Sequence, residues 1–416
     1  MKNVEFAHLS QRLCLAGLMI LAAPVLAQTA APEAWPAMTP VITPKPTPSP
    51  SPSPQATATA TSTASPSPTP TPEVFSLLGR ELVRGQSQRL TWKARYGFGE
   101  LDASAPVQVA HGAKPGPTLC LTAAVHGDEL NGIEIVRRVM HGIDLNELSG
   151  TVIGVPIVNI PGFLRGSRYL PDRRDLNRYF PGDPKGSLAS RIAHDFFERI
   201  IRHCDQLVDL HTGSFARTNL PQLRADLTDH AIVEMTKGFG AIAVLHSTGA
   251  DGTLRRAAAL AGIPSVTLEA GEPERLQTEE VVQGVKGVES LMSAMGMTPK
   301  KFVWRNPQPV FYESQWVRAD RGGIFFTDTQ LGDVVNAGDI LGTVTDPLSN
   351  VRTDVIAPVR GRVLGKALNQ FVMPGFAAFR LGVETSEEQI AEEPAATAAP
   401  DETSSSTESI DEPEQN

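Results

Sequence analysis

Three short apolar runs in this chain end in side chains that ligate metals or carry protons. "LCLTAAV" delivers His126-Gly127-Asp128-Glu129, "QLVDL" delivers His211, and "PSVTL" delivers Glu269. His126 and Glu129, three apart where a strand turns into a helix, can aim an imidazole and a carboxylate at one ion, and His211 completes a His₂Glu set. Three protein ligands with a fourth position left to water is the arrangement of catalytic rather than structural zinc, so one Zn²⁺ per chain is expected. Zinc lowers the pKa of its water to about 7. That nucleophile needs a base to take its proton and pass it to the leaving group, and Glu269 is placed to serve. Each signal is weak by itself, because a lone histidine after a strand is ordinarily a structural one. Together they fit one ligand set at three strand ends, where ligands of open α/β sheets bind.

A fourth segment supplies positive charge. "GFLRGSRYLPDRRDLNRYFPG" places Arg165, Arg168, Arg173, Arg174 and Arg178 in a loop, with Asp175 and Asn177 between them. Such a loop can be a solvated basic surface. Beside a metal it can instead grip a carboxylate, since guanidinium binds carboxylates bidentately and polarises carbonyls.

The elements that must position these groups alternate short apolar runs with amphipathic stretches. Ile133, Val136, Val139, Met140 and Ile143 recur at helical spacing, as do Leu188, Ile192, Phe196 and Ile200. This predicts an α/β domain with a largely parallel sheet and helices on both faces. After about residue 300 the character changes. Val, Gly, Thr and Pro dominate, with turn signals such as Leu331-Gly332-Asp333 and Ala337-Gly338-Asp339, so a small all-β domain is expected at 301–385.

Four motifs, "HGDELNG", "RDLNRYFPG", "DLHTGS" and "TLEAGE", in that order, resemble the succinylglutamate desuccinylase/aspartoacylase family. The resemblance covers about residues 78–382 and implies a zinc-carboxypeptidase-like fold, a mixed, largely parallel sheet. It implies that His126, Glu129 and His211 are the zinc ligands and Glu269 the catalytic carboxylate. It further implies that Asn177 and Arg178 grip a substrate carboxylate and that Arg255 reads a second charge. Arg168, with Arg174 as the alternative, would polarise the scissile carbonyl. The segment "LGDVVNAGDILGTV" with "IAPVRGRVLG" is similar to biotinyl/lipoyl-type modules, but no Lys stands near Ser349 to Arg352 to carry a prosthetic group.

The ends of the chain read differently. Lys2 and Arg12 precede an apolar run from Leu13 to Ala23, then Pro24 and Val25-Leu26-Ala27, the pattern of a signal peptide at 1–27 cleaved before Gln28; a retained anchor is the alternative. The run is too short for a membrane-spanning helix, which needs about 20 apolar residues. Residues 28–73 hold 13 of the 34 prolines and read as a disordered Pro/Thr/Ser spacer. Residues 386–416 contain ten acidic and no basic side chains, so against a net charge of −9 the remainder is about neutral, which excludes a dominant nucleic-acid-binding surface. Cys120 and Cys204 allow at most one disulfide; buried free thiols are the expected state.

These observations predict a periplasmic or secreted zinc hydrolase releasing an acyl group from an N-acyl amino acid or related small carboxylate. A metallocarboxypeptidase or cell-wall peptide hydrolase is the alternative, and a non-catalytic envelope binding protein a second. Either enzyme would take a small-molecule or peptide substrate with a free carboxylate. Oligomerisation is left open.

Overall fold

The computed structural model describes residues 74–94, 104–214, 216–299 and 309–383. The expected signal peptide, spacer and acidic tail lie outside the described residues. The chain runs β1 (Val74–Leu77), β2 (Arg80–Val83), β3 (Gln86–Lys93), β4 (Ser104–His111), β5 (Lys114–Ala123), α1 (Asn131–Gly142), β6 (Ser149–Val155), α2 (Ile160–Phe163) and α3 (Leu188–Arg199). It continues through β7 (Gln206–His211), β8 (Arg217–Ala225), α4 (His230–Gly238), β9 (Ala243–His246), α5 (Leu254–Leu260), β10 (Ser265–Gly271) and α6 (Thr278–Ala294). The last stretch is all β: β11 (Val310–Phe311), β12 (Glu313–Arg318), β13 (Gly323–Phe326), β14 (Val334–Val335), β15 (Ile340–Thr345), β16 (Arg352–Ile356), β17 (Gly361–Ala367), β18 (Gln370–Val372) and β19 (Ala377–Val383). No described helix is long and apolar enough to cross a membrane.

The main sheet is mixed. Its centre, β6-β5-β7-β10, is parallel, because helical crossovers join those strands. Antiparallel partners flank it, with β4 and β3 beyond β6 and with β8 beyond β10. Parallel pairing is therefore less extensive than the apolar runs suggested. Between β7 and β8 lie too few residues for a crossover helix, so β8 returns antiparallel.

Alternation along β5 sends its side chains to two cores. Leu119, Leu121 and Ala123 pack with residues of α1, α4 and α6, while Cys120 packs with residues of α3 and α5. In α3, Ile192, Phe196 and Phe197 form the buried stripe, and Phe196 meets Trp92 edge to face at 5.0 Å.

Cys120 of β5 and Cys204, just before β7, are joined in a disulfide, with Cα atoms 5.7 Å apart. The free-thiol expectation is thereby corrected: β5 and β7 are neighbours, with Cys120 paired in register to Leu207. The bridge closes a loop with a sequence separation of 84. In the chain-entropy account such a closure is worth about 4.5 kcal/mol. A Cys120→Ser, Cys204→Ser protein is expected to unfold at lower denaturant concentration, with a stability loss of about 2–5 kcal/mol by equilibrium denaturation.

The C-terminal strands form no detached module. β12, β19 and β17 extend the main sheet through antiparallel pairing of β17 with β8, while β16-β15-β13-β18 make a second sheet. Phe311 and Leu364 complete a buried cluster with Ala243 and Leu245. A chain ending at Lys300 loses that cover and leaves the Arg217–Asn219 end of β8 and the outer edge of β9 open. It is expected to be largely insoluble, read as the soluble fraction against a chain ending at Glu384.

Candidate active site

β5 and β7 lie side by side, so their carboxyl ends bring His126 and His211 together. After β5 the chain turns through Ala124, at φ 47°, and Gly127 lies against the Gly162–Phe163 backbone, where an added Cβ would meet Gly162 C at 2.1 Å. Only glycine lets the turn sit this deep. Glu129 follows, its N–H donating to the His126 carbonyl at 3.2 Å.

The Glu129 carboxylate faces both imidazoles. Its Oε1 is 2.8 Å from His126 Nδ1 and its Oε2 is 2.8 Å from His211 Nδ1, while the two Nδ1 atoms are 3.2 Å apart. All three residues are buried, with potential ligand atoms within 4.8 Å of one another.

Behind each ring stands an aspartate: Asp175 Oδ1 is 3.1 Å from His126 Nε2, and Asp209 Oδ2 is 2.8 Å from His211 Nε2. Asp209 is in turn held by the Thr122 hydroxyl at 2.7 Å. A ring whose Nε2–H donates to a carboxylate turns the Nδ1 lone pair inward, the orientation that metal ligation requires. Burial opposes charge on His211, but Asp209 and Glu129 outweigh it and hold its pKa well above the ordinary value. Burial and Arg168 likewise oppose charge on His126, yet Glu129 and Asp175 raise its pKa. Burial would raise Glu129, but the two imidazoles hold it below the usual carboxylate range. Two nitrogens and a carboxylate that all attract a cation are a donor set suited to a divalent metal.

Glu269 ends one strand further on. β10 lies beside β7 with Glu269 in register with His211. Its Oε2 accepts from Asn219 Nδ2 at 3.1 Å, and its Oε1 lies 3.4 Å from Arg224 Nε.

The arginines separate by position. Arg168 is buried and donates to Glu129 at 3.2 Å and to Asp175 at 3.0 Å. Arg178 lines the cleft, with Nη1 donating to the Asn177 carbonyl at 2.7 Å. Asn177 Oδ1 accepts the Leu254 N–H at 2.8 Å, at the start of α5. Arg255, on α5, donates to the Ser247 carbonyl at 2.8 Å and also lines the cleft. Arg174 does not: it is exposed and paired with Asp172 at 2.9 Å. Its neighbour Arg173 has φ 64°, so the backbone turns here and the sequence gives no guide to direction.

The cleft also contains Arg217, Asn219, Arg224 and Trp316, none of them anticipated from sequence. Trp316 belongs to the C-terminal strands, and two guanidiniums, those of Arg217 and Arg380, lie over its indole, each 5.2 Å from the ring centroid. Arg217, Asn219 and Arg224 lie on β8, a strand interrupted by Pro221. Pro221 is tolerated because the pairing with β10 is irregular there: Glu269 is opposite Gln222, but Gly271 is opposite Asn219. Asp209 had a signal, standing two residues before His211 on the same strand face.

Residues 115–295, which carry the buried donors, match the family model "Succinylglutamate desuccinylase/Aspartoacylase catalytic domain". Over those residues the chain is similar to the catalytic domain of that family. The chain is similar to an N-alpha-acetyl-L-2,4-diaminobutyric acid deacetylase of Halomonas elongata, 27% identical over 259 residues, 59% of this chain and 75% of the relative. The product-bound structure of the ectoine utilization protein EutE (DoeB) from Ruegeria pomeroyi superposes with a TM-score of 0.65 at 25% identity, covering 71% of this chain and 95% of that one. A succinylglutamate desuccinylase/aspartoacylase structure from Rhodobacter sphaeroides gives 0.63 at 25% identity, over 71% and 95%.

Proposed function

We propose that this chain is an exported, zinc-dependent hydrolase that removes the acyl group from an N-acyl amino acid or a related small carboxylate. The observation that carries the reading is the register of β5, β7 and β10: it sets a buried His₂Glu donor set and a further carboxylate, Glu269, at adjacent strand ends facing a cleft walled by arginines. His126, Glu129 and His211 would hold the metal. Bound zinc would supply an acidified water and a Lewis acid for the scissile carbonyl.

This chain's own groups do the rest. Glu269 takes the proton of the attacking water and returns it to the departing amine. Asn177, whose Oδ1 is committed to Leu254, has its Nδ2 donor for a substrate carboxylate, and Arg178 adds charge beside it. Arg168, buried against Glu129, is the arginine near enough to the donor set to polarise the carbonyl; Arg174 is directed elsewhere. Arg255, tethered by Ser247 and lining the cleft, would meet a second polar group on the substrate.

Release of an acyl group, rather than of a peptide's C-terminal residue, is supported by the name of the Halomonas relative. Export is supported by the N-terminal sequence pattern and by the Cys120–Cys204 bridge, a bond rarely kept in reducing compartments.

The test is a screen of zinc-loaded protein against N-acetyl and N-succinyl amino acids and short peptides, following amine release. Turnover of acyl amino acids is expected; exclusive release of C-terminal residues from peptides would select a carboxypeptidase. On the substrate so found, Arg178→Ala is expected to raise KM by about 10- to 100-fold through loss of a charge-assisted carboxylate contact, with a smaller change in kcat. Arg174→Ala should leave both within about twofold, as an exposed ion pair contributes little.

A further inference from the structure

Strand β8 is shared between the two halves of the fold. One end pairs with β17 of the C-terminal strands, as Arg217 does with Ala367 and Thr218 with Lys366; the other pairs with β10, as Arg224 does with Thr267. Asn219 stands where the two pairings meet, opposite Gly271 of β10 and Gly365 of β17. The Gln222 side chain ties the same strands, donating to the Leu364 carbonyl at 3.1 Å.

From this strand come, among the described residues, the two side chains that hold Glu269. Asn219 donates to Oε2 at 3.1 Å, and the Arg224 guanidinium lies 3.4 Å from Oε1. One side chain on each oxygen defines the carboxylate plane as well as its position. Asn219 has itself little room to move. It is buried, and a Cβ added to Gly365 would lie 2.7 Å from its Oδ1, so the absence of a side chain on β17 leaves space for the amide oxygen and directs the NH₂ toward Glu269.

We propose that Asn219 and Arg224 are positioning residues for Glu269, and that Gly365 sets Asn219, so that the C-terminal strands help place the catalytic carboxylate. The inference rests on the reading of Glu269 as the base. A base must reach its proton within hydrogen-bonding distance, and a displacement of about 1 Å can lower a rate by about 10²-fold.

The experiment is a double-mutant cycle on an N-acyl amino acid substrate, with crystal structures of the variants. Asn219→Ala is expected to lower kcat by about 10- to 100-fold with KM changed less than about threefold and metal content unaltered. In the Glu269→Gln background the same substitution should lower kcat by less than about twofold, because its effect passes through Glu269. Arg224→Met should behave like Asn219→Ala, with Arg224→Lys recovering part of the loss. Gly365→Ala, remote from substrate, should reduce kcat in the same manner. In crystal structures of Asn219→Ala and Gly365→Ala the Glu269 carboxylate should leave its position, a readout that needs no substrate.

Equal losses in both backgrounds, or an unmoved Glu269 with normal kcat in Asn219→Ala and Arg224→Met, would overturn the proposal. Near-normal kcat in Glu269→Gln alone is a different failure, that of Glu269 as the base. If Gly365→Ala does not fold, the Asn219 and Arg224 arms still decide.

Discussion

Glu269→Gln is expected to lower kcat by about 10²- to 10⁴-fold, the range of general acid–base catalysis, while metal content stays at the level of the unaltered protein. The substitution is nearly isosteric and replaces an oxygen by an NH₂ that cannot accept a proton from water. Its local effect is bounded, because Asn219 can still donate to the remaining amide oxygen. The Arg224 ion pair is lost, leaving that guanidinium beside a neutral group. Because Glu269 is in register with His211 yet makes none of the contacts that join His126, Glu129 and His211, the donor set should be undisturbed. Amine release and metal analysis on one preparation check the result: a kcat within a few-fold of the unaltered protein places the base elsewhere, and loss of metal makes Glu269 part of the binding set.

The grouping of these residues was legible in the sequence because each stands at the end of a short apolar run, and a parallel sheet gathers such ends. His126 and Glu129 need only one local turn to meet. His211 and Glu269 meet because β7 and β10 are neighbours in the sheet, although β8, α4, β9 and α5 lie between them in the chain. Groups positioned by strand order or loop path were harder to read. Cys120 and Cys204 pair because β5 and β7 are adjacent, an order that no local pattern encodes. Five arginines in one loop were indistinguishable by type. The fold separates them, burying Arg168 against Glu129 and leaving Arg174 in solvent with Asp172. Trp316 enters the cleft from a strand far along the chain, and the residues that hold Glu269 come from a strand interrupted by proline. The extent of parallel pairing was overstated because antiparallel strands join both flanks of the parallel centre: β4 beyond β6, and beyond β10 the strand β8, which runs antiparallel to β10 and β17 and parallel to β9.

Removing both imidazoles, in a His126→Ala, His211→Ala protein, is expected to take metal from about one per chain to none and activity on any substrate below detection. The sheet should survive. Both rings sit at strand ends above two apolar cores that contain no ligand residue, and an α/β core of this size does not depend on a metal to form. Stability should fall nonetheless, because Glu129, Asp175 and Asp209 each lose an imidazole partner. Breaking a buried charge pair typically costs about 3–5 kcal/mol. His211→Gln, which keeps more of the volume and one donor to Asp209, separates the two effects: it should recover much of the stability and none of the catalysis. Protons compete with metal for the same nitrogens, and both histidines hold protons more tightly than usual. Metal uptake by the unaltered protein should therefore weaken as pH falls, with protons released on binding. Undiminished metal in the double mutant, measured beside a folded circular-dichroism spectrum, would place the ion at other ligands and detach the chemistry from the β5–β7–β10 strand ends.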